Sequence, residues 1–203
     1  MNFNAVQNSI NDILSVKRKY IIPRNQREFS WEKMQLDEFW DDVTRNIKLN
    51  EKGEFTYSEY FLGTIVLAGS DSSPSLDVID GQQRLTVITM AITTISRILR
   101  DLGFEEYADD VFNAYVVTNV SQVALSKSPQ RSAKLEKTNG NDFFKLKFQD
   151  KVDHEPKVVF EEDAKLLYAG KYLNRKLSKA SACELLKKNV EGLNILRKTT
   201  LIA

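Results

Sequence analysis

Apolar residues recur at helical spacing in Val6, Ile10, Ile13 and Leu14, which predicts an amphipathic helix over 4–18 closed by the cations Lys17-Arg18-Lys19. Tyr20-Ile21-Ile22 then reads as a short strand that Pro23 terminates. After the polar loop Arg24-Asn25-Gln26-Arg27-Glu28, Ser30 is expected as an N-cap with Glu32 in the first turn. Leu36, Phe39, Trp40, Val43 and Ile47 carry this second helix to about residue 49. Tyr60 to Ala68 is β-rich, 69–75 has the Gly, Ser and Pro content of a turn, and Leu76-Asp77-Val78-Ile79 alternates as a partner strand. From Gln82 to about Leu102 the stripe of Leu85, Ile88, Ile92, Ile95, Leu99 and Leu102 is widened by Val87, Ala91 and Ile98. So broad an apolar face predicts a helix buried in the middle of the domain.

Tyr107, Val111, Ala114 and Tyr115 predict a further helix over 105–118. The pattern weakens over 119–177, where Ser132–Lys137 reads as a strand, Thr138–Asp142 as a turn or cap, and 143–149 as a short helix holding Phe143, Phe144 and Phe148. A last helix is expected from about Ala180, with Ala182, Leu185, Leu186, Val190 and Leu193 on its apolar face. Phe29, Trp31, Phe39 and Trp40 fit core positions better than base-stacking ones, and Asp37, Glu38, Asp41 and Asp42 read as a solvated acidic face.

A chain of 203 residues, 42% hydrophobic, can bury a sizeable core in one large domain. No apolar run approaches a membrane span, and Met1-Asn2-Phe3-Asn4 lacks the layout of a signal peptide, so no membrane partner is expected. The single Cys183 excludes an internal disulfide and a cysteine-rich zinc site, and a cytoplasmic location is expected. The net charge of +1 conceals an asymmetry: residues 1–119 hold 12 Lys/Arg against 18 Asp/Glu, and residues 120–203 hold 17 against 10. Either the two halves pack on each other, or the lysines simply solvate a surface, or the basic half faces a polyanion.

Candidate chemistry concentrates in Val78-Ile79-Asp80-Gly81-Gln82-Gln83-Arg84-Leu85, which reads as strand, tight turn and helix. Gly81 permits close approach of a ligand to the backbone, and the first N–H groups of the helix favour an anion there. Phosphoryl transfer needs positive charge, a group that orients water and a carboxylate for metal. Arg84 and Arg27 offer the first, Gln82 or Gln83 the second, and Asp80 the third, with Mg2+ as the ion. No GxxxxGK[ST] loop is present. A competing structural reading makes Asp80 and Gln83 a capping box, Gly81 a simple turn residue and Arg84 a partner for a surface carboxylate. Gln26 and Arg27 have no capping role, and they stand in a loop that a sheet can bring near Asp80. The single histidine, His154, lies in a charged stretch that predicts a surface position, and it leaves this segment without the ligands of an HNH nuclease.

Ile22-Pro23-x-x-Gln26-Arg27-x-Phe29-x-Trp31, some fifty residues ahead of Asp80-Gly81-Gln82-Gln83-Arg84-Leu85-Thr86, resembles the motif pair of the N-terminal domain of GmrSD-type modification-dependent restriction enzymes. The segment Lys134 to Phe144 is similar to a third, weaker block of that family. The resemblance implies an α+β fold: a ParB/sulfiredoxin-like core with a small mixed sheet surrounded by helices over 1–118, then a mainly helical extension over 119–203 that stops short of a further domain. It also implies binding and hydrolysis of a nucleoside triphosphate (GTP, UTP or ATP) with Mg2+. In that family hydrolysis is coupled to recognition and cutting of modified foreign DNA by a C-terminal nuclease domain or partner subunit. A homodimer is a further partner expectation, not one the resemblance supplies. On this reading Asp80, Gln83 and Arg84 are catalytic, and Gln26, Arg27, Gly81, Gln82 and Arg84 hold phosphates. Arg24, Asn25 and Arg27 approach DNA. Family members carry Tyr where Asn25 stands, so a stacking role at that position does not transfer. Two other functions remain open: a ParB-like DNA-binding or nuclease module that works without nucleotide, and a nonenzymatic interaction domain.

Overall fold

A computed structural model describes residues 5–45, 47–52, 55–58, 60–70, 72–119, 131–150 and 155–181. Through them the chain runs α1 (Ile10–Leu14), β1 (Lys19–Ile22), α2 (Lys33–Arg45), β2 (Ile47–Leu49), β3 (Phe55–Tyr57), β4 (Val66–Ala68), β5 (Ser75–Asp80), α3 (Gln82–Asp101), α4 (Glu105–Tyr115), β6 (Val117–Asn119), β7 (Arg131–Ala133), β8 (Leu135–Lys137) and α5 (Glu161–Ser181). One π-helical turn, Lys145–Gln149, lies between β8 and α5. The fold is mixed α+β, with a small mixed sheet flanked by helices.

The main sheet has the order β4-β5-β1-β8. β1 pairs in parallel with β5 on one side (Tyr20 opposite Leu76) and with β8 on the other (Tyr20 opposite Leu135), while β4 runs antiparallel to β5. Its core face is set by alternation: Tyr20, Ile22, Leu76, Val78 and Leu135 are buried. Because β5, β1 and β8 are parallel, the loops after Asp80, Ile22 and Lys137 emerge along one edge. The chain passes from β1 to β4 and β5 on one side of it and then from β5 back across to β8 on its other side, so the order reverses at β1 and this edge is a topological switch point, the usual place for a ligand in an open α/β sheet. β2 with β3, and β6 with β7, form separate antiparallel ribbons.

α3 is buried along most of its length, as its wide apolar face predicts, and it packs on α4 and α5. Four of its buried hydroxyls are satisfied within the protein. Thr86 and Thr94 donate to carbonyls one turn back, Thr93 donates to Phe148 O and Ser96 to Ala108 O, each at 2.7–2.8 Å. At the β8 edge the Gln149 carboxamide replaces a neighbouring strand: it accepts from Leu135 N at 3.0 Å and donates to Leu135 O at 2.6 Å. Lys134 is buried where β7 turns into β8, and its ammonium donates to the last carbonyls of two helices, Leu14 O and Ala114 O. Burial lowers its pKa from 10.5 to about 8.

Several predicted boundaries differ from the observed ones for local reasons. The first helix spans only Ile10–Leu14, because Ser9 and Asp12 form a capping box that starts it late and the Lys17-Arg18-Lys19 triplet leads into β1 instead of closing it. Ser30 is not the N-cap of α2. Leu36 N bonds Glu32 O at 3.1 Å, and Gln35 Oε1 accepts from Glu32 N at 3.0 Å, so the helix starts two residues later than predicted. It stops at Arg45, and Ile47 enters β2. The strand expected over 60–68 contracts to Val66–Ala68, the 105–118 helix ends at Tyr115, and the 132–137 strand is divided at Lys134 between two sheets. α5 was not anticipated, although Leu166, Ala169, Tyr172, Leu173 and Leu177 hold its buried face. The helix expected from about Ala180, together with Cys183 and His154, falls largely or wholly outside the described residues. Phe29 and Phe39 are core residues, with Trp31 and Trp40 packed against the core.

Candidate functional site

Asp80 is the last residue of β5, and Gly81 turns the chain into α3 in the left-handed conformation (φ 88°, ψ 7°). A Cβ at Gly81 would lie 3.1–3.2 Å from Ile65 and from Thr64 O, so the corner closes directly onto the segment before β4. The capping-box reading is not realised: Gly81 is the N-cap and no side chain caps the helix. Intrahelical bonding begins with Leu85 N to Gly81 O at 3.0 Å, which leaves the amides of Gln82, Gln83 and Arg84 at the open first turn.

The Gln83 carboxamide reaches across to the loop after β1. Its Nε2 donates to Glu28 O at 2.9 Å and its Oε1 accepts from Ser30 N at 3.0 Å. From the other direction, Gln26 Nε2 donates to Ile79 O at 3.1 Å, one residue before Asp80. The two sequence motifs, fifty residues apart, are therefore laced together by their own glutamines. The third block joins through α5. Glu162, buried on the first turn of that helix, accepts from Phe29 N at 2.7 Å, from the Lys137 ammonium, and from Asn139 and Asn141 Nδ2 at 3.4 Å. Thr138 N and Oγ1 both donate to Ile22 O, at 3.1 and 3.2 Å, and seat this block beside the end of β1.

Among the described residues, the side chains of Arg24, Asn25, Arg27 and Asp80 are exposed and make no hydrogen bond or ion pair. Arg84 is half-buried: its guanidinium lies on Gly63, where a Cβ would come within 2.7 Å of it, and donates to Thr64 O at 2.8 Å. Gln82 is only 6% exposed, yet its carboxamide has no partner among the described residues. An unsatisfied buried amide costs about 1–3 kcal/mol, which a ligand or water at this corner would recover. Burial lowers Lys137 to about 8, opposed by the carboxylates of Glu28 and Asp163. Burial pushes Asp163 up, but hydrogen bonds from Phe160 N, Asn141 and Val159 N and the Lys137 charge outweigh it and hold the carboxyl below 3.8.

A sequence model of the GmrSD restriction endonuclease N-terminal domain matches residues 10–201. The chain belongs to this family. No curated protein matches the chain significantly. In this GmrSD N-terminal domain all three sequence blocks converge on one edge of the sheet. No group of three or more His, Cys, Asp or Glu placed to hold a metal occurs among the described residues. No helix among them is long and apolar enough to cross a membrane. Two participants were missing from the sequence reading. Gly63-Thr64, taken as strand, forms the wall that receives Arg84, and Glu162 ties the third block to the first. The acidic run Glu161-Glu162-Asp163 at a helix start was the available signal for Glu162.

Proposed function

We propose that this domain binds a nucleoside triphosphate, GTP, UTP or ATP, at the Asp80–Arg84 corner and hydrolyses it, and that hydrolysis is coupled to recognition or cleavage of DNA by a C-terminal nuclease domain or partner subunit. The observation that carries this reading is the combination at one strand edge of unpaired cations, an open helix start and a partnerless buried amide. Arg24 and Arg27 supply positive charge without an internal carboxylate to neutralise it. The first-turn amides of α3 suit an anion, and Gly81 removes the side chain that would obstruct it. Arg84, braced by Thr64 O, can place its remaining N–H groups toward phosphate oxygens.

Of the two glutamines, Gln82 retains a free carboxamide and is assigned to orienting the attacking water. The Gln83 amide is engaged at both ends and supports the geometry. Asp80, exposed and unpaired, would hold Mg2+ directly or through water, and the ion would supply charge neutralisation on the phosphates. A cytoplasmic location belongs to the same proposal.

Purified protein incubated with each triphosphate and Mg2+ is expected to release phosphate, and Asp80→Ala is expected to reduce the rate at least a hundredfold while leaving the thermal midpoint within a few degrees. Absence of release from all common triphosphates would overturn the hydrolytic reading. The exposed Arg24-Asn25-Gln26-Arg27 turn, closed by Gln26 N to Pro23 O at 3.0 Å, supports a second reading, direct contact with a DNA backbone. Salt-dependent retardation of DNA without nucleotide, weakened in Arg24→Ala/Arg27→Ala, is its mark.

A further inference from the structure

The segment that follows Arg27 is held to an unusual degree. Three consecutive residues have a backbone polar group bonded to a buried side chain from another element: Glu28 O and Ser30 N to Gln83 of α3, and Phe29 N to Glu162 of α5. On the other side of Arg27, the Gln26 side chain is anchored on β5. Arg27 stands between these pinned positions and has no partner of its own among the described residues. Arg24, Asn25 and Glu28 are exposed, whereas Phe29 is buried and its N–H is satisfied by protein alone.

Glu162 is the costly member of this set. A carboxylate with 1% of its side chain exposed carries a large desolvation penalty, which Phe29 N–H, the Lys137 ammonium and the two asparagine amides offset together. Lys137 and both asparagines belong to the loop end of β8, so one carboxylate joins the loops after β1 and β8 to the start of α5.

We propose that Glu162 is a positioning residue: by holding Phe29 N–H and Lys137 at once, it locks the Gln26–Ser30 loop so that Arg27 is presented in a preformed place for a phosphate-bearing ligand. The loop's rigidity follows from the geometry alone, and its effect on ligand rests on the triphosphate reading above. A preorganised cation contributes to binding without the entropy cost of ordering its loop at that moment. Glu162 therefore acts on affinity more than on the chemical step.

The test compares wild type, Glu162→Gln and Glu162→Ala/Lys137→Met, the last removing both charges so that neither is left buried alone. Amide exchange at Phe29 and Ser30, and tryptic cleavage after Arg27, report the loop without any ligand. Loss of a hydrogen bond to a charged group corresponds to roughly tenfold or more, so both rates are expected to rise at least tenfold in the double variant. Exchange at Leu76, in the sheet, is expected to stay within about twofold, and Glu162→Gln, which keeps an acceptor for Phe29 N–H but leaves Lys137 without its counter-charge, is expected to lie between wild type and the double variant. With triphosphate, KM is expected to rise about tenfold with kcat within about threefold. Unchanged exchange and cleavage around Arg27, or exchange that rises equally in the sheet, overturns the positioning role whatever the activity. A loosened loop with a lower kcat and unchanged KM overturns the link to binding. A loosened loop in a protein whose wild type binds and hydrolyses no triphosphate upholds the positioning role and counts against the nucleotide reading alone.

Discussion

At the scale of single residues, the fold depends on two places where a side chain cannot be accommodated and one where a charge is tolerated at a cost. Gly81→Ala places a Cβ in the left-handed region against Ile65 and Thr64 O. It is expected to cost about 1–2 kcal/mol from conformation alone, read as a lower denaturant midpoint, with a further loss of ligand affinity. Gly170 allows α5 to approach the buried Phe148 ring, since a Cβ there would lie 2.8 Å from it. Glycine in the middle of α5 is also one reason that helix was not legible: it interrupts the pattern where packing requires it. Lys134 carries the charge. With a folded pKa of about 8 and an unfolded value near 10.5, both states are protonated below pH 8, and the folded state then bears the full cost of burial. Between these values only the folded state has lost its proton, so stability rises with pH across that window. Denaturant midpoints at pH 7 and pH 10 are expected to show this gain in wild type and a smaller one in Lys134→Met.

At the scale of elements, long periodic segments were the most legible. α3 occupies Gln82–Asp101 nearly as its apolar stripe predicts, because a helix surrounded by protein must be apolar over a wide arc. Short elements were not. α1 is a single turn and a half set by the Ser9–Asp12 box, and β4 keeps three residues because the chain before it must follow Gly81 and Arg84 instead of a partner strand. β8 depends on a side chain for its edge. Gln149→Leu should leave Leu135 N and O without partners and cost about 1–3 kcal/mol, measured by chemical denaturation. The start of α5 is tied to Asp163, which accepts from Val159 N and Phe160 N at 2.9 Å each. Its folded pKa lies below 3.8, so its contribution is complete above that value and is lost as pH falls through the folded pKa. Asp163→Asn is expected to be less stable than wild type at pH 6, with the gap narrowing below pH 3.8.

At the scale of the whole molecule, three segments near residues 26, 80 and 137 meet because three parallel strands end at the same edge. Gln26 and Gln83 cross-brace two of them, so their truncations to Ala are expected to be non-additive, with a coupling of about 0.5 kcal/mol or more in a double-mutant cycle on unfolding. Additive losses would mean that the two loops are held independently. The sequence by itself determined the buried central helix, the strand–turn–helix at Asp80–Arg84 and the two main motifs, because hydrophobic period and turn chemistry act over a few residues and are written locally. Only the tertiary structure decided that Gln83 braces the neighbouring loop instead of capping its helix, that Gln82 is the glutamine left unbonded, and that Glu162 closes the third side. A side-chain amide or carboxylate bonds equally well to any backbone group within reach, and its partner here is set by strand order across separations of 53 to 133 residues, which no local pattern records.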